Sequence, residues 1–414
     1  MTHDRRFFLK SSGLAMAGLG FAPGFLKRAL AGTAGGGKRV LVTLFQRGAV
    51  DGLSMIPPVG EPHYFQVRPT IALSAPGKGD DGALRLDDTF GLHPALAPLM
   101  RLWDAGSLAV VHAVGSPDPT RSHFDAQDYL DAGTPGVKST DDGWLNRALQ
   151  AAPSEDATSF RAVALQPNLP RSLAGKAPAL AMASLADFTL RAGPKADAAA
   201  SDFASLYAGA VDAALKTTGG ETFESVKVLK QANPSRLAPQ NGAAYPGSPL
   251  GRRMKEIAQL VRSDVGLEIA ATDCGGWDTH TGQGAAKGQL ANRLQDLGES
   301  LAAFACDLGE KMADVCVVTM TEFGRTVREN GTRGTDHGHG SVMMVLGGNV
   351  KGRRVLTRWK GLSDANLFEG RDLAVTTDHR EVLGDVLASH MGIKDMSRVF
   401  PGYAAAPALP LRLF

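Results

Sequence analysis

Cysteine is scarce in this chain, with Cys274, Cys306 and Cys316 the only three among 414 residues. An odd number excludes a fully paired disulfide framework, and no two stand in a C-x-x-C arrangement. Cys306 and Cys316 lie in apolar runs and read as core residues. A charge excess is missing too: 44 Lys and Arg face 42 Asp and Glu, and no basic stripe runs through the sequence. That argues against nucleic acid as a partner. No apolar run is long enough to span a bilayer; the longest candidate, Gly13 to Leu26, is too short. No internal repeat is evident, which removes solenoids and propellers. What remains, 43% hydrophobic and 21% charged, is the composition of a globular protein with a large core, in one big α/β domain or two smaller ones.

The first 31 residues are expected to lie outside the fold. Arg5-Arg6 precedes Phe-Phe-Leu-Lys10, an apolar run follows, and Ala29-Leu-Ala31 supplies a small-x-small cleavage signal. This reads as a twin-arginine signal peptide cut after Ala31, which implies passage through the twin-arginine translocon, a periplasmic destination and no stable membrane span. Cleavage takes five Lys/Arg and one Asp away, turning a formal +2 into −2.

The most informative stretch is Gly331-Thr-Arg-Gly-Thr-Asp-His-Gly-His-Gly340. It sets Asp336, His337 and His339 within four residues, all cation-ligand types. The glycines around them permit positive φ and close approach of a charged group.

Other strand exits carry similar turns. Lys38 to Phe45 is an apolar, β-branched run read as a buried parallel strand, and Asp51 follows it in a Gly-bearing turn. Leu108 to Val114 is a second strand. Beyond it Pro119 and Thr120 open a helix, placing Ser122 and His123 near a helix N-terminus that favours anions. There Ser122 is either a nucleophile or only a cap. Gly266 to Thr272 is a strand leading to Asp278 and His280. Leu290, Leu294, Leu297, Leu301, Phe304 and Leu308 step by four and three, the buried face of a long helix. Asp314 to Thr321 is a strand ending at Glu322 and Arg325, and Ser341 to Gly347 is another. Residues from about 150 to 250 are irregular and read as a cap over the sheet. Alternation of strands and helices predicts an α/β fold with a largely parallel sheet and helices on both faces, in three layers. Such a sheet would gather the five loops on one edge.

Asp51, a hydroxyl at a helix start, Asp-x-His, a long helix, a strand and Asp-His-Gly, in that order, resemble the alkaline phosphatase and sulfatase superfamily. More closely, Arg-Gly-Ala-Val-Asp-Gly-Leu, Arg-Ser-His-Phe-Asp-Ala-Gln, Gly-Gly-Trp-Asp-Thr-His, Thr-Glu-Phe-Gly-Arg-Thr and Gly-Thr-Asp-His-Gly look like an exported bacterial family known only as domain of unknown function 1501. The resemblance spans nearly all of residues 32–414 and implies an alkaline phosphatase-like fold. It implies two divalent cations, with Zn, Mn, Mg and Ca all open, and a small-molecule or polymer-borne phosphate or sulfate ester as substrate. By that likeness Asp51, Asp336 and His337 hold one cation, Asp278 and His280 hold the other, and Ser122 is the nucleophile with His123 and Arg325 beside it. Either His339 or His379 completes the set. Glu322 stands where the superfamily's Asp-His is expected, 14 residues before Asp336, so either is a candidate ligand. Arg47 and Arg121 are candidate anion binders, with salt bridges to nearby carboxylates the alternative. No cysteine has the context of a formylglycine sulfatase. The competing function is a non-catalytic exported binding or scaffold protein that retains the fold and an anion pocket.

Overall fold

The computed structural model describes residues 39–79, 81–153, 158, 160–185, 234–404 and 411–414. The signal-peptide segment and much of the expected cap therefore lie outside the described residues.

The strands are β1 (Val40–Gln46), β2 (Leu84–Arg85), β3 (Gly91–Leu92), β4 (Leu108–Gly115), β5 (Ala162–Leu165), β6 (Leu180–Met182), β7 (Ile269–Cys274), β8 (Val315–Met320), β9 (Ser341–Gly347), β10 (Arg354–Leu356) and β11 (Thr377–Asp378). β2 and β3 form a small hairpin. The other nine form one sheet in the order β10-β4-β9-β8-β1-β7-β5-β6, with β11 also on β4. The described helices are α1 (Gly52–Met55), α2 (Pro62–Val67), α3 (Met100–Asp104), α4 (His123–Ala132), α5 (Trp144–Ala151), α6 (Pro249–Arg262), α7 (Gln289–Leu308), α8 (His379–Ser389) and α9 (Met396–Val399).

Alternation along β1 explains the layers. Val40, Val42 and Leu44 face a core shared with α6 and α7, while Leu41 and Phe45 face one shared with α5 and α8. Side chains of successive strand residues point to opposite faces, so a strand covered on both sides must be apolar throughout. The six predicted core positions of α7 are all buried.

The sheet is largely parallel, as expected, with one reversed strand: β9 runs antiparallel to both β4 and β8, while every other pairing in the nine-stranded sheet is parallel. An apolar run such as Ser341–Gly347 looks the same whichever way it points. Part of the expected cap also belongs to the central layers, because β5 and β6 pair in register with β7 and each other, and α6 packs on the sheet. Ala162-Val-Ala-Leu165 is too short and alanine-rich for a strand to be read from it.

Candidate functional site

The exits of β1, β7 and β8 and the start of α4 meet at one edge of the sheet. β1 leaves through Gly48 and Ala49, both at positive φ (121° and 63°). A Cβ on Gly48 would lie 2.9 Å from the backbone nitrogen of Asp278, so only glycine lets the two loops touch. Ala49 holds a left-handed conformation that costs a non-glycine residue energy, as is common beside functional sites.

Four side chains converge there. His123 Nε2 and His280 Nε2 each lie 3.0 Å from His337 Nε2. Asp278 Oδ1 is 2.9 Å from His280 Nε2 and 3.2 Å from His337 Nε2, and its Oδ2 is 3.6 Å from His123 Nε2. His123, Asp278 and His337 offer ligand atoms that all lie within 4.8 Å of one another, a cluster that can hold a metal ion.

The reverse side of each ring decides what these nitrogens can be. His123 Nδ1 is 2.7 Å from Glu322 Oε1, His280 Nδ1 is 3.1 Å from Asp336 Oδ1, and His337 Nδ1 is 3.0 Å from the Arg121 carbonyl. Carboxylates and carbonyls only accept, so each Nδ1 donates and, in a neutral ring, each Nε2 presents a lone pair. His123 Nε2, His337 Nε2 and the Asp278 carboxylate lie 3.0–3.6 Å apart, and lone pairs so placed repel unless a proton or cation lies between them. Zn–N bonds of about 2.0–2.1 Å in a tetrahedron put neighbouring ligands roughly 3.3 Å apart, close to the separations within this trio. Imidazoles oriented from behind by carboxylates or carbonyls are the usual support of a metal ligand.

The electrostatics agree with that donor set. Burial pushes the Asp278 carboxyl up, but the Arg325 guanidinium outweighs it and holds the group below its ordinary value. Glu322 is likewise raised by burial and then held low by hydrogen bonds from His123, Gln127 and the Gly48 N–H. The hydrogen bond from His280 chiefly keeps Asp336 low. Burial, with the charges of His123 and Arg325, depresses His337. The hydrogen bond to Glu322 raises His123, so a cation arriving at this nitrogen competes with a proton.

The remaining expected site residues are placed as follows. Asp51 lies apart from the four side chains of the cluster. Its carboxylate is 1% exposed, and Oδ2 accepts from Arg68, Ser54 and Gln283 at 2.7, 2.8 and 2.6 Å, while its buried Oδ1 has no hydrogen-bond partner. Glu322 and Asp336 do not compete for one corner, because each orients a different imidazole. Arg325 is buried and donates to the carbonyls of Gly48, Ala49, Thr335 and Trp277 as well as to Asp278.

His339 and His379 lie apart from the cluster. His339 Nε2 bonds to the Ser116 carbonyl and its ring packs on Phe368, while buried His379 Nδ1 bonds to the Gly115 carbonyl. Ser122 caps α4, its hydroxyl accepting from the Asp125 N–H at 3.4 Å. Arg47 and Arg121 follow their salt-bridge alternatives: Arg47 binds Asp273 and Gln127, and Arg121 binds Asp372 and Glu369. Gly334, Gly338 and Gly340 of the 331–340 loop act by close approach rather than by positive φ. A Cβ on Gly334 would lie 2.3 Å from the His280 carbonyl oxygen.

Sequence reasoning missed Gln127, Gln283 and Arg68. Only Gln127 carried a signal, being four residues after His123 on the same helix face.

Fold and cluster together define a three-layer α/β protein with a histidine–aspartate centre at one sheet edge that can hold a metal ion. By sequence the chain belongs to a family whose function is not known: residues 38–402 match the family described as Protein of unknown function (DUF1501). No curated protein matches the chain.

Proposed function

We propose that this chain is a divalent-cation-dependent hydrolase of phosphate or sulfate esters, exported by the twin-arginine route to the periplasm. The observation that carries the reading is the convergence of His123 Nε2, His337 Nε2 and the Asp278 carboxylate, with His280 Nε2 against His337 and Asp278 and every imidazole fixed from behind. Imidazole nitrogens with one carboxylate suit a borderline transition cation such as zinc better than manganese, magnesium or calcium. A cation held there supplies Lewis-acid polarisation of an ester oxygen. The chain's own groups do the rest. Glu322, Asp336 and the Arg121 carbonyl orient His123, His280 and His337, and Arg325 fixes Asp278. Ser122 stands one residue before His123 at the positive end of α4, where a substrate anion is favoured. Its hydroxyl is the candidate nucleophile, released for that role when it gives up the 3.4 Å cap bond to the Asp125 N–H.

Metal analysis of protein purified without chelator tests the first half of this reading. The expected result is one equivalent of a divalent transition cation per chain, and a chelator should lower the melting temperature, since a ligand at a thousand times its Kd stabilises by about 4 kcal/mol. Protein that contains no such cation and is unmoved by chelation defeats the reading.

Turnover of an aryl phosphate or aryl sulfate tests the second half. Ser122→Ala should cut kcat by about a hundredfold or more while the cation content stays at one. Unchanged turnover removes Ser122 from the chemistry and leaves the cation to work without it.

The second reading is a non-catalytic exported binding protein. The engagement of Arg47 and Arg121 by carboxylates favours it, because neither guanidinium is left to grip an anion. No turnover across an ester panel, with cation bound, would select it.

A further inference from the structure

We infer that Gln283 is a positioning residue that locks together the two loops carrying the cation's ligands, an inference that rests on the metal reading above. The loop after β7 runs Asp278-Thr279-His280, and the later loop runs Thr335-Asp336-His337. In the first, Asp278 and His280 point outward to the centre while Thr279 points inward and is 2% exposed. In the second, Thr335 is wholly buried, Asp336 turns outward to the back of the His280 ring, and His337 follows at the centre. Extended chain alternates its side chains, so inward Thr279 sets the direction of Asp278 and His280, and inward Thr335 that of Asp336.

Both threonines end on one atom. Thr279 Oγ1 and Thr335 Oγ1 each donate to Gln283 Oε1 at 2.8 Å. The Gln283 amide nitrogen donates the other way, to Asp51 Oδ2 at 2.6 Å and Ser54 Oγ at 3.1 Å. Asp51 in turn is pinned by Arg68, whose remaining donors take the carbonyls of Thr326 and Val327. One fully buried amide thus bridges the exits of β1 and β7 and the 331–340 loop, with no contact to the centre itself. A neutral amide is what the position demands. Its oxygen must accept twice and its nitrogen must donate to a carboxylate, and glutamate, methionine or leucine cannot do both.

Backbone bonds also join the loops, from Gly282 N–H to the Thr332 carbonyl, from Gln283 N–H to the Arg333 carbonyl and from Thr335 N–H to the Thr279 carbonyl. The first two tie chain to chain away from the ligands. The third fixes the same two threonine backbones that Gln283 grips by their side chains, and together they set how far Asp278 and His280 stand from His337.

Competition titration of the metal-free full chain with Zn²⁺ against a chromophoric chelator tests this. Gln283→Met should raise the Kd by about 10–100-fold, the range known for loss of a group that supports metal ligands. Thr335→Val should raise it by about tenfold, and Thr335→Ser, which keeps the hydroxyl, should return it to the wild-type value. A merely structural role would lower the melting temperature of the metal-free chain without this split between valine and serine.

Folded Gln283→Met and Thr335→Val proteins that bind Zn²⁺ within twofold of wild type would overturn the inference. If Gln283→Met does not fold, the threonine pair decides alone. A wild-type chain that takes up no Zn²⁺ sinks the metal reading and this inference with it, whereas tight wild-type binding with unaltered variants sinks the inference only.

Discussion

Replacing His337 with alanine is expected to raise the Kd for a divalent transition cation by about a hundred- to a thousandfold. The magnitude follows from dividing the roughly 10–16 kcal/mol of a four-ligand zinc site among its ligands and taking about 1.4 kcal/mol per tenfold. His337 is the member to choose because its Nε2 lies within 3.2 Å of the ligand atoms of His123, His280 and Asp278. Its ring is oriented by a backbone carbonyl, so no carboxylate is stranded when it is removed. The metal-free variant should be at least as stable as the metal-free wild type, because the deletion relieves crowded lone pairs. Isothermal titration and melting curves of both proteins after chelation check the two halves. Unchanged affinity would rule out a cation between these four side chains.

Arg68→Met should destabilise the chain by about 3–5 kcal/mol, the usual cost of stripping the partner from a buried charge. Arg68 and Asp51 are 0% and 1% exposed and 2.7 Å apart, and two carbonyls would lose their donor as well. Adding Asp51→Asn to Arg68→Met should recover part of the loss, since it removes the stranded charge. Urea denaturation of the single and double variants measures this, and a double variant weaker than Arg68→Met would contradict it.

The pH dependence of this pair has a definite sign. Burial raises the Asp51 carboxyl, but the charge and hydrogen bond of Arg68 outweigh burial and leave it below its ordinary value. A depressed carboxylate stabilises the fold above its unfolded value, and that stability is lost as pH falls through the folded one.

Much of this was legible in the residues, and what was not has physical causes. The long apolar stripe of α7 and the buried runs of β1, β4, β7, β8 and β9 follow from periodicity alone. Asp278-x-His280 was readable as a pair because extended chain puts alternate residues on one face. The role of Asp51 was not readable. Its partner Arg68 stands 17 positions away in a stretch without a motif, and only tertiary structure shows that the cation facing Asp51 is a guanidinium. Nor could spacing choose between His339 and His379 as a last ligand, since only the backbone path shows that both imidazoles turn to carbonyls of the β4 exit instead. Glu322 and Asp336 looked like rivals for one ligand position because sequence shows which residues are near a site, not which side of a ring they reach.

The single reversed strand has a consequence for how the centre is assembled. β8 ends at Met320 and β9 begins at Ser341 beside it, running back the other way. Residues 321–340 therefore leave and re-enter the sheet at the same edge, where a parallel partner would have demanded a crossover to the opposite end. Glu322, Arg325, Asp336 and His337 all ride on this one excursion. It is a bridge with both feet on one bank, and it lends the centre His337 while His123, Asp278 and His280 stand on other spans.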